Sequence, residues 1–257
     1  MPSRQQAHEL IVAGRVTVSG APALKPSRLV RRDEPVLVLG EPPRYVSRGG
    51  QKLAAALSEM AVRVEGVRAL DAGASTGGFT DCLLQHGARE VVAVDVGYGQ
   101  LHERLGADTR VEVRDRTNVR QLRPGSLGDP FDVVVADLSF ISLGLVVRNL
   151  LALAKPGAHL VVLVKPQFEA GRTEAARGRG VVRDPAVWRQ ALKQVIDALA
   201  GHGATIMEGM MSPVRGADGN LEFLLHAVAP GPNLTGATDI EAMIDRLLAQ
   251  AVEPEPG

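Results

Sequence analysis

Short apolar segments alternate with amphipathic segments along residues 47–229, and this alternation limits the possible folds more than any other feature. Strands that are apolar almost throughout are typical of a parallel sheet with both faces covered by helices. The pattern predicts a doubly wound, Rossmann-like α/β sheet with a late antiparallel pair. Strands are predicted at 68–71, 91–95, 111–114, 133–137, 160–165, 205–209 and 221–228, and helices at 52–60, 77–86, 100–105, 143–153 and 185–201.

Residues 1–39 have the pattern of a separate small α/β module, with a predicted helix at 4–13 and short strands at 16–18 and 36–39. Residues 40–46 contain two prolines that no helix or central strand would accept, so they are predicted to be a linker. Residues 47–229 form the larger domain. Residues 230–257 contain one amphipathic helical pattern and a Pro/Glu-rich end, which we interpret as an appended helix and a disordered tail.

The charges are unevenly distributed, although 29 basic residues balance 29 acidic ones. Residues 1–52 contain nine Lys and Arg against four acids, so this end of the chain has a net charge of 9 − 4 = +5 and suits an anionic partner. Aromatic residues are only 3% of the chain, too few for a base-stacking platform, so a nucleic acid as this partner would be held mainly through its phosphates. The candidate phosphate ligands are Arg4, Arg15, Arg28, Arg31, Arg32, Arg48, Arg172, Arg177, Arg179 and Arg183.

Several function classes are disfavoured by what the sequence lacks. The single cysteine, Cys82, cannot form an internal disulfide, and no signal-like or membrane-spanning apolar segment occurs, so a cytoplasmic protein is expected. The six histidines show no metal-ligand spacing, so no metal is expected.

A loop of small residues follows the first predicted strand of the larger domain and opens a helix, as in nucleotide sites. Asp95, with Val96 beside it, ends the next strand where an acid can bind ribose hydroxyls. Asp115 and Asn118 follow the third strand, where they could accept from an adenine amine. Ser75 stands where a dinucleotide fingerprint has glycine, which disfavours NAD. The loop of small residues and Asp95, taken together, suit S-adenosylmethionine. The predicted cofactor residues in the loop are Asp71, Gly73, Ala74, Ser75, Thr76, Gly77, Gly78 and Phe79.

Two other strands end in a charge. Asp137 and Lys165 each close an apolar segment, where an unpartnered charge would be costly to desolvate, so we predict that they pair. Such a pair is either a purely structural ion pair or part of a catalytic site. Phe140, close to Asp137, either stacks on a flipped nucleotide or packs beneath its own loop.

Six strings along the chain resemble those of the TlyA (haemolysin A) family. They are Tyr45-Val-Ser-Arg-Gly-Gly-Gln-Lys52-Leu53, Asp71-Ala-Gly-Ala-Ser-Thr-Gly-Gly-Phe79-Thr80, Asp95-Val-Gly-Tyr-Gly-Gln100, Val135-Ala-Asp-Leu-Ser-Phe-Ile-Ser-Leu143, Val164-Lys-Pro-Gln-Phe-Glu169 and Gly219-Asn-Leu-Glu222. The resemblance implies an S4-type RNA-binding domain joined to an FtsJ-like class I methyltransferase, and 2′-O-methylation of ribosomal RNA, at a cytidine, with S-adenosylmethionine. It also implies a catalytic tetrad of Lys52, Asp137, Lys165 and Glu222. S4-type domains have a further helix ahead of residues 3–7, so the resemblance implies either that the start of this sequence is placed too late or that the module is shortened, with weakened RNA recognition expected only in the second case.

The chemistry of a ribose hydroxyl is consistent with this set. The hydroxyl is a very weak acid, so its proton must leave as the new bond forms, and Lys165 is the expected base. Lys52 and the nearby sulfonium would disfavour the charged form of Lys165, while Asp137 and Glu222 would orient it. One alternative is a non-catalytic RNA-binding or ribosome-assembly factor, which the tetrad disfavours. A nicotinamide oxidoreductase is disfavoured by Ser75, and a membrane-lytic protein is disfavoured by the lack of a suitable apolar segment.

Overall fold

The computed structural model describes residues 4–40, 43–169, 181–216, 218–231 and 238–252. The chain forms two compact units, Met1–Val46 and Ser47–Gly257. Residues 43–46, predicted to be part of a linker, therefore belong to the first unit.

The first unit is a helix with a small antiparallel sheet, which has the strand order β2-β1-β3. Its elements are α1 (Arg4–Val12), β1 (Val16–Val18), β2 (Ala21–Pro22) and β3 (Val36–Val38). The two-residue strand β2 was not predicted from the sequence. The core is small: Val16, Val18 and Ala23 are buried, with Leu10 and Ile11 packed against them.

The second unit contains a seven-stranded sheet covered by helices. Its strands are β4 (Arg68–Ala72), β5 (Glu90–Val94), β6 (Val111–Arg114), β7 (Phe131–Ala136), β8 (Ala154–Val164), β9 (Thr205–Met211) and β10 (Phe223–Val228). Its helices are α2 (Arg48–Glu59), α3 (Gly78–Gln85), α4 (Glu103–Gly106), α5 (Val147–Leu153), α6 (Pro166–Glu169), α7 (Pro185–Gly201) and α8 (Ile240–Val252).

The strand order is β6-β5-β4-β7-β8-β10-β9. Strands β4 to β8 pair in parallel, and β10 is antiparallel to both β8 and β9. The predicted mixed α/β sheet with a late antiparallel element is confirmed. The chain moves outward from β4 to β6 and then returns to place β7 on the other side of β4. Ligands bind at such a reversal, outside the carboxyl ends of the strands.

The central strands are buried on both faces because helices pack on each side of the sheet. All six residues of β10 are buried, and five of six in β7. Helix α7 begins at Pro185 after the Asp184 cap, whose side chain accepts from the backbone N–H of Ala186. Its apolar residues recur every three or four positions and face the core, namely Val187, Trp188, Ala191, Leu192, Val195, Ile196 and Leu199.

Several predicted boundaries were wrong. The predicted helix at 143–153 is a 3₁₀ turn, Leu143–Leu145, followed by α5, and the helix predicted at 100–105 is only the four residues of α4. Helix α2 begins at Arg48, four residues before its predicted start. Asp95, Asp137 and Lys165 follow their strands and do not end them, whereas Asp71 lies within β4.

The C-terminal helix α8 lies where a helix was predicted beyond residue 230, and it belongs to the second unit. It packs against the edge strand β9 and buries Met243, Ile244, Leu247 and Leu248 in the main core. In the described part of the chain, no helix is both long and apolar enough to cross a membrane.

Candidate active site at the carboxyl edge of the sheet

The cofactor loop, residues 73–77, connects β4 to α3 and is tied to the end of β5. The backbone N–H groups of Gly73 and Ala74 donate to the Val94 carbonyl at 2.8 and 3.1 Å. The Ser75 N–H donates to Asp95 Oδ2 at 2.8 Å. Ser75 has a left-handed backbone with φ of 46°, a conformation that non-glycine residues rarely adopt away from functional sites.

Glycine is required in this segment by protein packing. A Cβ on Gly73 would overlap the Asp137 carbonyl oxygen, and one on Gly77 would overlap the Leu105 side chain. A Cβ on Gly78 would overlap Ser47 Oγ and lie 2.9 Å from the Gly50 nitrogen. These glycines therefore let β7, α4 and α2 pack closely around the cofactor loop.

Asp95 and Asp115 are both brought to the loop that follows β5. Asp95 accepts from the Gly97 N–H through Oδ1 at 2.7 Å, in addition to its bond from Ser75. Asp115 Oδ2 accepts from the Gly99 N–H at 2.8 Å. Each carboxylate has lone pairs remaining for a ligand, since an ionised carboxylate can accept about four hydrogen bonds.

The other predicted cofactor residues differ in how their side chains are used. Asn118 caps the 3₁₀ turn Val119–Gln121, because its Oδ1 accepts from the Arg120 N–H at 3.0 Å. Val96 is exposed. Phe79 is buried in α3, with its ring close to Gly49 of α2, so its side chain packs between these helices.

Asp71 lies directly beneath the cofactor loop and is fully buried. Its Oδ2 accepts from Thr80 Oγ1 at 2.6 Å, whereas its Oδ1 has no hydrogen-bond partner. Burial raises the pKa of Asp71 to about 7; the Thr80 bond opposes this, and the nearby charges of Asp137 and Asp95 add to it. A buried acceptor with an unused oxygen favours a ligand that brings a donor or a positive charge.

Lys165 and Asp137 form the ion pair that the sequence predicted. Lys165 Nζ lies 2.6 Å from Asp137 Oδ1 and also donates to Ser139 Oγ at 2.9 Å. The two side chains are 11% and 22% exposed, so the pair is largely shielded but still reachable from the sheet edge. Ser139 was not predicted from the sequence to be a site residue, although it stands only two residues after Asp137.

The second pair of the tetrad is Lys52 with Glu222, whose side chains are 9% and 3% exposed. Lys52 Nζ donates to Glu222 Oε2. Glu222 was expected to orient Lys165, but its carboxylate pairs with Lys52.

Strand register explains why residues so distant in sequence share one edge. Ala136 of β7 is opposite Val162 of β8, and Phe223 of β10 is opposite Val164 of β8. Asp137 and Lys165 follow parallel strands, and Glu222 precedes an antiparallel one, so all three lie at the same end of the sheet. Lys52 reaches this end from α2, which packs on α3.

Phe140 does not pack beneath its loop, because its side chain is 90% exposed. Its ring centroid is 5.1 Å from that of Phe168, and its backbone is left-handed, with φ of 64°. An exposed aromatic ring on strained backbone beside an ion pair is a feature of binding sites.

The arginines predicted to bind RNA are not equally available. Arg28 pairs with Glu34 and Arg31 with Asp33, so part of the positive charge of these two arginines is balanced locally. Arg15 donates to the Leu39 carbonyl at 2.9 Å. Arg32 and Arg183 are exposed, while Arg4 and Arg48 begin α1 and α2. Arg172, Arg177 and Arg179 lie outside the described residues.

Within the described ranges, no group of three or more His, Cys, Asp or Glu side chains is arranged to hold a metal ion. The arrangement instead combines a loop with a free buried acceptor, two acids beside it and an amine held by a carboxylate. Such a set can bind a small cationic ligand and accept or stabilise a proton next to it.

Comparison with known proteins identifies the family. The model of the FtsJ-like methyltransferase matches residues 45–228. YqxC from Bacillus subtilis is 45% identical over 97% of this chain and 89% of its own, and the Mycobacterium tuberculosis protein named 16S/23S rRNA (cytidine-2′-O)-methyltransferase TlyA is 44% identical over 96% and 92%. A solved Streptococcus thermophilus structure that carries the name hemolysin is similar with a TM-score of 0.81 and 37% identity, over 98% of this chain and 90% of that one. The chain belongs to the FtsJ-like methyltransferase family.

Proposed function

We propose that this protein transfers a methyl group from S-adenosylmethionine to a ribose 2′-hydroxyl of ribosomal RNA, with a cytidine as the target. The observation that carries this proposal is the Lys165–Asp137 ion pair beside the cofactor loop, at the carboxyl edge of the sheet. The relative named as a 16S/23S rRNA (cytidine-2′-O)-methyltransferase supports the choice of acceptor, since it is 44% identical over nearly the whole chain.

The residues around the cofactor loop fit S-adenosylmethionine. The unused Oδ1 of Asp71 suits the ammonium of its amino-acid end, beneath the backbone of residues 73–77. Asp95 suits the ribose hydroxyls, and Asp115 suits the adenine amine, because each carboxylate retains acceptor capacity. When bound, this cofactor supplies an electrophilic methyl group on a sulfonium.

The tetrad acts on the acceptor hydroxyl. Lys165 Nζ is fixed in position by Asp137 and Ser139, and as a neutral amine it accepts the 2′-hydroxyl proton while the carbon–oxygen bond forms. The Lys52–Glu222 pair holds α2 against the start of β10 and places a second charged group at the same edge. Fixed geometry matters here because a nucleophile held in line with the methyl group avoids much of the entropic cost of the reaction.

RNA is held by both units. The first unit serves as an S4-type RNA-binding module, with the exposed Arg32 among its phosphate ligands. In the second unit, the exposed ring of Phe140 stacks on the base of the flipped target nucleotide, which brings its ribose to Lys165.

Methyl transfer from labelled S-adenosylmethionine to ribosomal subunits and to naked ribosomal RNA tests this proposal, with mapping of the ribose-methylated positions. Lys165→Ala is expected to lose at least about 10²-fold in rate while the donor still binds, since a positioned acid–base group contributes about 10²–10⁴-fold. Lys193→Ala, which removes an exposed lysine of α7, is the matched control and should retain wild-type activity.

Two results would overturn the proposal. RNA binding by the wild-type protein without any methyl transfer would favour a non-catalytic RNA-binding or ribosome-assembly factor. Methylation of a base, with the ribose unmodified, would show that the acceptor is wrong.

A further inference from the structure

Glu169 is a buried carboxylate that the reaction above does not use. It ends α6, four residues after Lys165, and is only 6% exposed. Its Oε2 accepts from Ser142 Oγ at 2.6 Å, and its Oε1 accepts from the Leu143 N–H at 2.9 Å. Burial raises the pKa of Glu169, and these two hydrogen bonds oppose the rise. Burying a carboxylate costs desolvation energy, and the two hydrogen bonds to Glu169 offset part of that cost.

These bonds fasten the acceptor loop, residues 138–142, at its far end. The near end is fixed where the Asp137 N–H donates to the Ala72 carbonyl at 3.0 Å. Between the two ends lie Ser139, which accepts from Lys165, and the exposed Phe140. Glu169 thus connects the segment after β8, which carries Lys165, to the segment after β7, which carries Asp137.

A second contact joins the same two segments next to Glu169. The Phe168 ring lies 5.1 Å from the Phe140 ring and 5.9 Å from Lys165 Nζ, both measured to the Phe168 centroid. The left-handed backbone of Phe140 is unfavourable for an aromatic residue and persists only if its surroundings hold it. The Glu169 bonds and the Phe168 contact supply that restraint.

We propose that Glu169 is a positioning residue that holds the acceptor loop so that Ser139 meets Lys165 and Phe140 faces the RNA. This inference rests on the proposed methyl transfer, and it assigns Glu169 to the acceptor side of the reaction. Other residues form the donor site. A change at Glu169 should therefore alter the RNA-dependent steps and leave donor affinity unchanged.

Steady-state methyl transfer by Glu169→Ala, Glu169→Gln and the wild type, with donor affinity measured by calorimetry, tests the inference. Glu169→Ala is expected to lower kcat/KM for RNA by about 10²-fold, because a displacement of about 1 Å at a reacting group costs that much. Glu169→Gln should recover most of the loss, since its amide can accept from the Leu143 N–H and donate to Ser142 Oγ. Glu241→Ala, which changes an exposed glutamate of α8, is the control.

Two further variants separate positioning from a general loss of fold. Ser142→Ala removes one of the two bonds and should give a smaller loss of the same kind, so it replaces Glu169→Ala if that variant does not fold. Phe140→Ala should lower RNA affinity by itself. Adding Glu169→Ala to Phe140→Ala should lower kcat/KM for RNA by a smaller factor than Glu169→Ala does in the wild type, because the two residues act through one loop.

The outcomes distinguish this inference from the proposed function. If the wild type transfers methyl groups while Glu169→Ala and Ser142→Ala keep its kcat/KM for RNA, the positioning role is wrong and the proposed function stands. The role is also wrong if Glu169→Ala weakens donor binding as much as it weakens transfer. Absence of transfer by the wild type would remove both proposals.

Discussion

Gly73 lies where the cofactor loop passes the end of β7, with a backbone φ of +88°. Gly73→Ala adds an unfavourable backbone conformation and a Cβ that overlaps the Asp137 carbonyl. We expect it to abolish donor binding and to lower the free energy of unfolding by more than the roughly 1–2 kcal/mol of a left-handed alanine alone. Donor calorimetry and urea denaturation would measure the two effects.

Gly125→Ala is the matched control for Gly73, since it has a φ of +82° but nothing within 4 Å of the added Cβ. It should show the backbone cost of about 1–2 kcal/mol and unchanged donor binding. Equal behaviour of the two variants would mean that the overlap with Asp137 has no effect.

The Lys52–Glu222 pair gives a second prediction at the residue scale. Lys52→Met leaves the Glu222 carboxylate buried without its partner, so it should lower the free energy of unfolding by about 3–5 kcal/mol. The double variant Lys52→Met with Glu222→Gln should recover much of this stability but no methyl transfer. Denaturant titrations and transfer assays on the three proteins would check both parts, and recovery of activity would exclude a catalytic role for the pair.

The two ion pairs differ in how far the sequence alone could predict them. Asp137 and Lys165 each follow an apolar strand, where an unpartnered charge is costly, so pairing was the simplest solution. Lys52 and Glu222 stand 170 positions apart, on a helix and just before a strand, and no local pattern connects them. Only the resemblance to a family placed them in one site, and it did not indicate which lysine binds Glu222.

At the scale of elements, α8 is held to the second unit by its apolar face. Leu247 is fully buried, so Leu247→Ala should cost about 2–5 kcal/mol. Glu241 pairs with Arg189 and Lys193 of α7, but it is 58% exposed, so Glu241→Gln should cost less than about 1 kcal/mol. Urea denaturation of the two variants would test this order, and a larger loss for Glu241→Gln would contradict it.

Element type was predictable wherever a long periodic pattern occurs, as in α7. The predicted helix and strand boundaries were wrong where tertiary contacts decide them. The helix predicted at 143–153 instead opens with a 3₁₀ turn, where the Leu143 N–H bonds to Glu169, far along the chain, and Ser142 caps the turn through the Gly144 N–H. A pattern of apolar residues does not contain such contacts.

At the scale of the whole molecule, the alternation of strands and helices predicted the parallel sheet but not the order of its strands. The central strands are all largely buried, so the burial pattern of a single strand does not indicate its neighbours. In this order β10 lies between β8 and β9. His226 of β10 therefore lies against His159 of β8, with the ring nitrogens 2.9 Å apart. The same sheet buries Asp71 in β4.

These two buried sites should give opposite dependences of stability on pH. Burial, with a contribution from His159 that Glu208 opposes, lowers the pKa of His226 to about 4. The unfolded state then binds more protons below about pH 6.5, so stability is lost as the pH falls from 6.5 to 4. Asp71 has the opposite sign, because its pKa is raised to about 7 and stability is lost as the pH rises from about 4 to 7.

Each contribution amounts to roughly 3–4 kcal/mol at most, since one pKa unit corresponds to about 1.4 kcal/mol, so the two largely cancel in the wild type. Asp71→Asn should therefore become less stable as the pH falls from 6.5 to 4, and His226→Gln should become more stable over the same range. Urea denaturation at several pH values above 4, with the cofactor absent, would measure both slopes. Parallel profiles for the two variants would show that these groups do not set the acid response of the sheet.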